Sequence, residues 1–125
     1  MNTRVKIIDA EELSAILHNS SAILVVGVFD PLLAAHAERL AEIARPGASK
    51  LVVAVTDPLS AALLPVRARM EMAAAVGVVD FVLSYESGIE TRFPWADIYD
   101  DTAQHEQWSV DFIQHVRRRS KAISA

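Results

Sequence analysis

The residues best placed for chemistry fall in one stretch, Gly27-Val28-Phe29-Asp30-Pro31-Leu32-Leu33-Ala34-Ala35-His36. An apolar run precedes it and a helical pattern follows, so a loop here would lead straight into a helix start. The free first-turn N–H groups of such a start favour a phosphate. Each residue also has a plainer reading. His36 lies four residues after Leu32 and four before Leu40, which suits a core-side histidine with one satisfied nitrogen. Gly27 and Asp30 suit a turn and a cap. A second cluster, Asp100-Asp101-Thr102 with His105 and Glu106, raises the question of a metal. Asp101 and His105 would share a helix face, but an N-cap pair of Asp101 and Gln104 explains them more simply, and no third ligand is evident. Arg117-Arg118-Arg119 with Lys121 fit a helix C-terminus, where cations offset the macrodipole.

The elements that must position these residues can be read from hydrophobic period. Val5 to Ile8 alternate weakly, as a short strand or an extended lead-in. Asp9 with Glu12 reads as a capping box opening a helix that carries Leu13, Ile16 and Leu17 and ends near Asn19-Ser20-Ser21. Ile23 to Val26 are too short and too β-branched for a helix and read as a buried strand ended by Gly27. Leu32, Leu33, His36, Leu40 and Ile43 recur at helical spacing until Arg45-Pro46-Gly47. Leu51 to Val55 form a second strand, a helix begins at about Pro65 and closes at Gly77, and Asp80 to Leu83 form a third strand. The alternation predicts parallel strands with helices on both faces, a Rossmann-like three-layer α/β/α arrangement. Beyond Glu86, Asp97 to Tyr99 form a possible short strand. A last helix runs from about Thr102 to Lys121, with Trp108, Phe112 and Val116 along one stripe. Trp95 and Trp108 read as packing or interface anchors.

Composition narrows the function classes. The chain has 125 residues, 52% of them hydrophobic and 22% charged, the size of a single domain spanning 1–125 with a sizeable core. Disorder is excluded on that hydrophobicity. The longest apolar run, Ala22 to Phe29, is far short of a membrane span of ~20 residues, and no secretory signal is expected. A net charge of −4 argues against a general nucleic-acid binder. With no cysteine, neither disulfides nor a thiolate site contributes, which fits the cytoplasm.

The motifs around these strands carry a resemblance. The Gly27-Val28-Phe29-Asp30 turn leading to His36 resembles the opening motif of the nucleotidylyltransferase (cytidylyltransferase-like) superfamily, in which Gly-x-Phe-Asp precedes His-x-Gly-His. Leu51 to Asp57 resemble the family's second strand and its following Asp, Leu64 to Met72 its proline–arginine helix start, and Val79 to Val82 its third strand. The lead-in Lys6 to Leu17 is similar to the segment before the adenylyltransferase domain of heptose-phosphate nucleotidylyltransferases. The likeness covers residues 4 to 86. It implies nucleotidyl transfer from a nucleoside triphosphate to a phosphorylated small molecule, with Mg²⁺ where the enzyme is active. It also implies roles: His36 and Arg69 as catalytic donors to phosphate, and Gly27, Phe29, Asp30 and Asp57 as nucleotide- or phosphate-binding residues, with no protein-bound metal site.

The motif is incomplete. Leu33 stands in the place of the first His and Ala35 in the place of the Gly, and the loop Asp57 to Leu64 lacks the usual lysine. The Ser/Thr-rich turn expected after the final strand has no counterpart. A leucine donates no hydrogen bond, and loss of one such donor costs ~10²–10³ in rate. The expectation is therefore a family relative impaired in catalysis and retaining at most nucleotide or phosphate-ligand binding. The alternative is a non-catalytic interaction module, as a homodimer or partner subunit, making contact through the Trp108 and Phe112 stripe.

Overall fold

The sheet forms where the chain is apolar in both directions. In the computed structural model, which describes residues 2–18, 20–44, 47 and 49–124 with side chains to residue 120, four strands lie side by side. They are β1 (Ala22–Gly27), β2 (Lys50–Val55), β3 (Phe81–Ser84) and β4 (Asp97–Asp100). All pairings are parallel, in the order β3-β2-β1-β4. Val25 sits beside Val53 and Tyr99, and Val53 beside Val82. Parallel neighbours need long crossovers, and helices supply them. α1 (Ala10–Ile16) precedes β1, α2 (Ala34–Ala44) joins β1 to β2, α3 (Val66–Ala74) joins β2 to β3, and α4 (Thr102–Ser124) follows β4.

Period-two alternation sorts the strand residues between two layers. Val25, Val53, Val55 and Val82 pack under α2 and α3 against Leu40, Ile43, Met70, Ala73 and Ala74. Leu24, Val26, Val52, Ala54 and Leu83 face the other side, against Leu13, Leu17, Ile89 and Phe93. This is the three-layer α/β arrangement that the strand–helix alternation predicts. No helix among the described residues is long and apolar enough to cross a membrane.

Local signals act mostly as read. Asp9 caps α1, accepting from the Glu12 N–H at 2.8 Å, and α1 ends at Ile16. Pro65 caps α3 from outside. Asn19, Arg45 and Pro46, expected in helix stops, lie outside the described residues. The lead-in differs: Thr3–Lys6 is a 3₁₀ turn, and of the stretch Val5 to Ile8 only Ile7 bridges to Val82. Between that turn and the Asp9 cap there is no length for a strand. α2 begins at Ala34, so Leu32 and Leu33 precede it, because Leu33 is its capped entry residue: its carbonyl accepts from His36 N at 3.0 Å and Ala37 N at 3.3 Å. β4 is one of the two edge strands, exposed along its length and bracketed by Asp97 and Asp100. Charges so placed discourage further strand pairing.

Candidate functional site

Open parallel sheets bind ligands beyond the carboxyl ends of their strands, and here the ends of β1 and β2 are tied together from within. After β1 the chain turns through Phe29, whose φ of +51° is a left-handed conformation costing about 1 kcal/mol for a residue with a Cβ. That turn sends the ring inward to the cluster of Val25, Leu40 and Met70. It also leaves the Asp30 carboxylate accepting from the N–H groups of Leu63 at 2.7 Å and Leu64 at 2.9 Å. Arg69, 1% exposed, completes the tie from α3. It donates to the carbonyls of Leu64 (3.0 Å), Val28 (3.1 Å) and Thr56 (2.8 Å), and to Asp57 Oδ1 (3.0 Å). Asp57 is 83% exposed, so solvent weakens that ion pair, and the three carbonyls are what the buried guanidinium chiefly serves.

Above this tie lies a cluster of rings. His36 and His105 meet edge to face at 4.4 Å between centroids, His36 meets Trp108 at 4.9 Å, and Phe29 meets His105 at 4.5 Å. His36 Nδ1 accepts from Leu33 N at 2.9 Å, capping α2 from its own first turn. His105 Nδ1 accepts from Val28 N at 3.0 Å. Each acceptor role fixes a neutral ring with its proton on Nε2, and His36 Nε2 has no hydrogen-bond partner among the described residues. Burial pushes His36 down to about 4, against the pull of the Asp101 charge. Burial, and then the neighbouring His36, pushes His105 down to about 3. Both imidazoles are neutral at physiological pH.

Gly27 explains how His105 reaches this position. A Cβ at Gly27 would overlap Cε1 and Nδ1 of the His105 ring and approach Phe29 Cε2 at 2.9 Å. The glycine makes room for a side chain of α4. The start of α4 is held by the Asp101 N–H to the Val26 carbonyl at 2.9 Å, and by the Asp101 carboxylate against Arg39 at 3.0 Å. Further along, Glu106 accepts from Leu59 N at 2.9 Å and Ser109 Oγ donates to the Asp30 carbonyl at 2.7 Å. The first half of α4 thus lies over the end of β1, where the fold would seat a ligand.

What stays open is small or acidic. A cleft of about 160 Å³ between α4 and the loop after β2 is lined by Leu59, Leu63, Val110 and Ile113, below the ~300 Å³ at which small-molecule sites usually begin. A second, of about 310 Å³, is lined by Asp57, Asp100 and Glu106 together with Leu59, Thr102 and Ala103. Three carboxylates repel a phosphate, and Asp100 already caps α4 by accepting from Thr102 N at 3.1 Å.

The structure therefore brings Gly27, Phe29, Asp30, His36, Asp57 and Arg69 into one region. Among them Asp57 alone presents its polar atoms broadly to solvent. The expected N-cap pair of Asp101 and Gln104 is not formed: Asp100 makes the cap, and the Asp101 side chain is drawn to Arg39. Arg69 is buried, and the exposed ion pair with Glu71 is made by Arg67 at 3.3 Å. Among the described residues no three His, Asp or Glu side chains converge as a metal site would require. His105 is the residue whose role the sequence did not disclose. Its spacing from Asp101 put the two on one helix face, and nothing in the sequence said that Gly27 would receive the imidazole. Trp108 is half-buried beside both imidazoles, and Trp95 packs on Phe93 at 5.8 Å. No protein-family model and no curated protein matches the chain.

Proposed function

We propose that this chain is a non-catalytic protein-interaction module built on a nucleotidylyltransferase-like fold. The observation that carries the reading is the His105 imidazole seated over Gly27, at the point a nucleoside triphosphate would have to approach. Transfer to an α-phosphorus depends on donors aimed at developing negative charge. Here Arg69 spends its donors on carbonyls, and the free Nε2 of His36 is enclosed by rings rather than facing solvent. The carboxylates do not fit Mg²⁺ either. Asp30 is occupied by two N–H groups, and Asp57, though exposed, gives one oxygen to Arg69 and belongs to no group of three converging ligands among the described residues.

The reading is tested by assaying pyrophosphate release with each of the four ribonucleoside triphosphates, Mg²⁺ and a panel of sugar and alditol phosphates. The expected result is no release above the blank, and no heat on calorimetric titration with millimolar nucleotide. Release that disappears in His36→Ala would overturn it.

A further inference from the structure

α4 is fastened to the body differently from the other helices. The layers on either side of the sheet are held by aliphatic burial, around Val25, Val53 and Val82 on one face and Leu24, Val52 and Leu83 on the other. The entry and first half of α4 are held instead by side-chain ties. Val28 N–H donates to His105 Nδ1 at 3.0 Å, Arg39 to the Asp101 carboxylate at 3.0 Å, Leu59 N–H to Glu106 at 2.9 Å, and Ser109 to the Asp30 carbonyl at 2.7 Å. In the first three of these the acceptor is a group that a proton can disable.

The two imidazoles make this dependence sharp. In each ring Nδ1 accepts from a backbone N–H, that of Leu33 for His36 and that of Val28 for His105, so Nε2 holds the single proton. A second proton has only Nδ1 to go to, and an Nδ1–H opposes the amide hydrogen instead of accepting it. Protonation therefore cancels the cap at the entry of α2 and the seat of α4 together. It also sets two like charges 4.4 Å apart between ring centroids, beside Phe29 and Trp108, a placement that disfavours both. The charges facing the pair do not rescue it. Asp101 and Asp100 favour the protonated rings and Arg39 opposes them, while Asp30 is turned to Leu63 and Leu64 and Glu106 to Leu59. His36 Nε2 has no hydrogen-bond partner among the described residues.

We propose that His36 and His105 form an acid-sensitive latch: when both take a proton, the first half of α4 lifts from the end of β1 while the sheet and its aliphatic layers stay folded. Lifting uncovers the hollow over Gly27 and the ring of Phe29 in one step. The inference goes beyond the non-catalytic reading and does not depend on it. Between the ordinary imidazole value of about 6.5 and the value of about 4 that His36 has when covered, the seated state holds neither proton and the lifted state holds both. Two protons taken up per lifting event make that equilibrium rise about 100-fold for each unit of pH lost.

An NMR titration of the full chain from neutrality to below pH 4 tests the latch, with the amides of Val28 and Leu33 followed against that of Val53 inside the sheet. Val28 and Leu33 are expected to shift together, with a Hill slope of about 2, at a pH where Val53 is unmoved. In a Trp95→Phe chain, acrylamide quenching of Trp108 is expected to rise about twofold or more across the same transition, as local opening requires. His36→Asn/His105→Asn offers an amide oxygen for each Nδ1 and takes no proton; it is expected to lower the transition to that of Val53. Val28 and Leu33 moving only together with Val53 would mean global unfolding and overturns the latch. A one-proton slope overturns the pairing of the two rings. Unchanged quenching of Trp108 while the amides shift would mean that the rings titrate in place, which also overturns it. A double variant that keeps the wild-type transition assigns the release to Asp101 and Glu106 instead. Should that variant not fold, the wild-type comparison of Val28 with Val53 decides alone. None of these outcomes bears on pyrophosphate release, which tests the non-catalytic reading separately.

Discussion

The two halves of α4 carry the same stripe and meet opposite fates. In the first half, His105 is 1% exposed, Ser109 is hydrogen-bonded to the loop after β1, and Asp101 is paired with Arg39. In the second, Val116 stands in line with them at 47% exposure. The difference is not in the helix. It lies in what the helix meets, which for the first half is a bare backbone at Gly27. Amphipathic period says that a face will be covered, and leaves open whether by the same chain or another.

The most direct way to break this contrast is to fill the space over Gly27. Gly27→Ala would drive a methyl into the His105 ring, and overpacking of this kind costs about 3 kcal/mol. Gly77→Ala is the control, since a Cβ there meets nothing within 4 Å; it is expected to be neutral or stabilising by a few tenths of a kcal/mol. Urea unfolding of the two variants, followed by tryptophan fluorescence, reads the difference. Equal stabilities would mean that α4 is not seated on β1.

Acid tests the same seat without mutation. His36 falls to about 4 and His105 to about 3 in the fold, both from the ordinary value of about 6.5. Above that value both rings are neutral folded or unfolded and add no slope. Below it the unfolded chain binds protons that the folded chain refuses, so stability falls as pH drops towards 4. His36 alone accounts for roughly 3 kcal/mol over that window. Chemical denaturation at several pH values is expected to show this limb in the wild type. It should be flattened in a His36→Phe/His105→Phe variant, which keeps the carboxylates common to both. Identical limbs would place the imidazoles in water.

The layered fold was legible because Ile23 to Val26 and Leu51 to Val55 admit no exposed face and the helices between them carry stop signals. β4 was readable only as a possibility. Its residues Asp-Ile-Tyr-Asp have neither the length nor the burial of the others, and pairing with β1 is what makes them a strand. The candidate site was legible as a place, since Gly27, Asp30, His36 and Arg69 do gather there. What they bind was not legible, for a physical reason. A glycine that admits a phosphate and a glycine that admits an imidazole are the same residue, and the imidazole comes from far along the chain. Arg69 shows the same limit: an arginine at a helix start reads alike whether its donors reach a ligand or three backbone carbonyls.

The smallest expected effect concerns the ion pair at the entry to α4. Arg39 is 38% exposed and Asp101 11%, so Arg39→Ala is expected to cost no more than about 1 kcal/mol near neutral pH, and less at high salt. Its informative part is the pH dependence. Asp101 pulls His105 upward while Arg39 pushes it down. Removing Arg39 leaves Asp101 acting on the imidazole uncompensated, so the folded His105 takes a proton more readily. The acid limb then becomes shallower near its foot, and the deficit of the variant narrows as pH falls towards 3, where the folded ring begins to take a proton. A deficit that stays constant would show that the imidazole does not feel Asp101. One as large as that of Gly27→Ala would mean that α4 is held down by its charges rather than by the ring filling the hollow over β1, and the contrast between its halves would have to be redrawn in electrostatic terms.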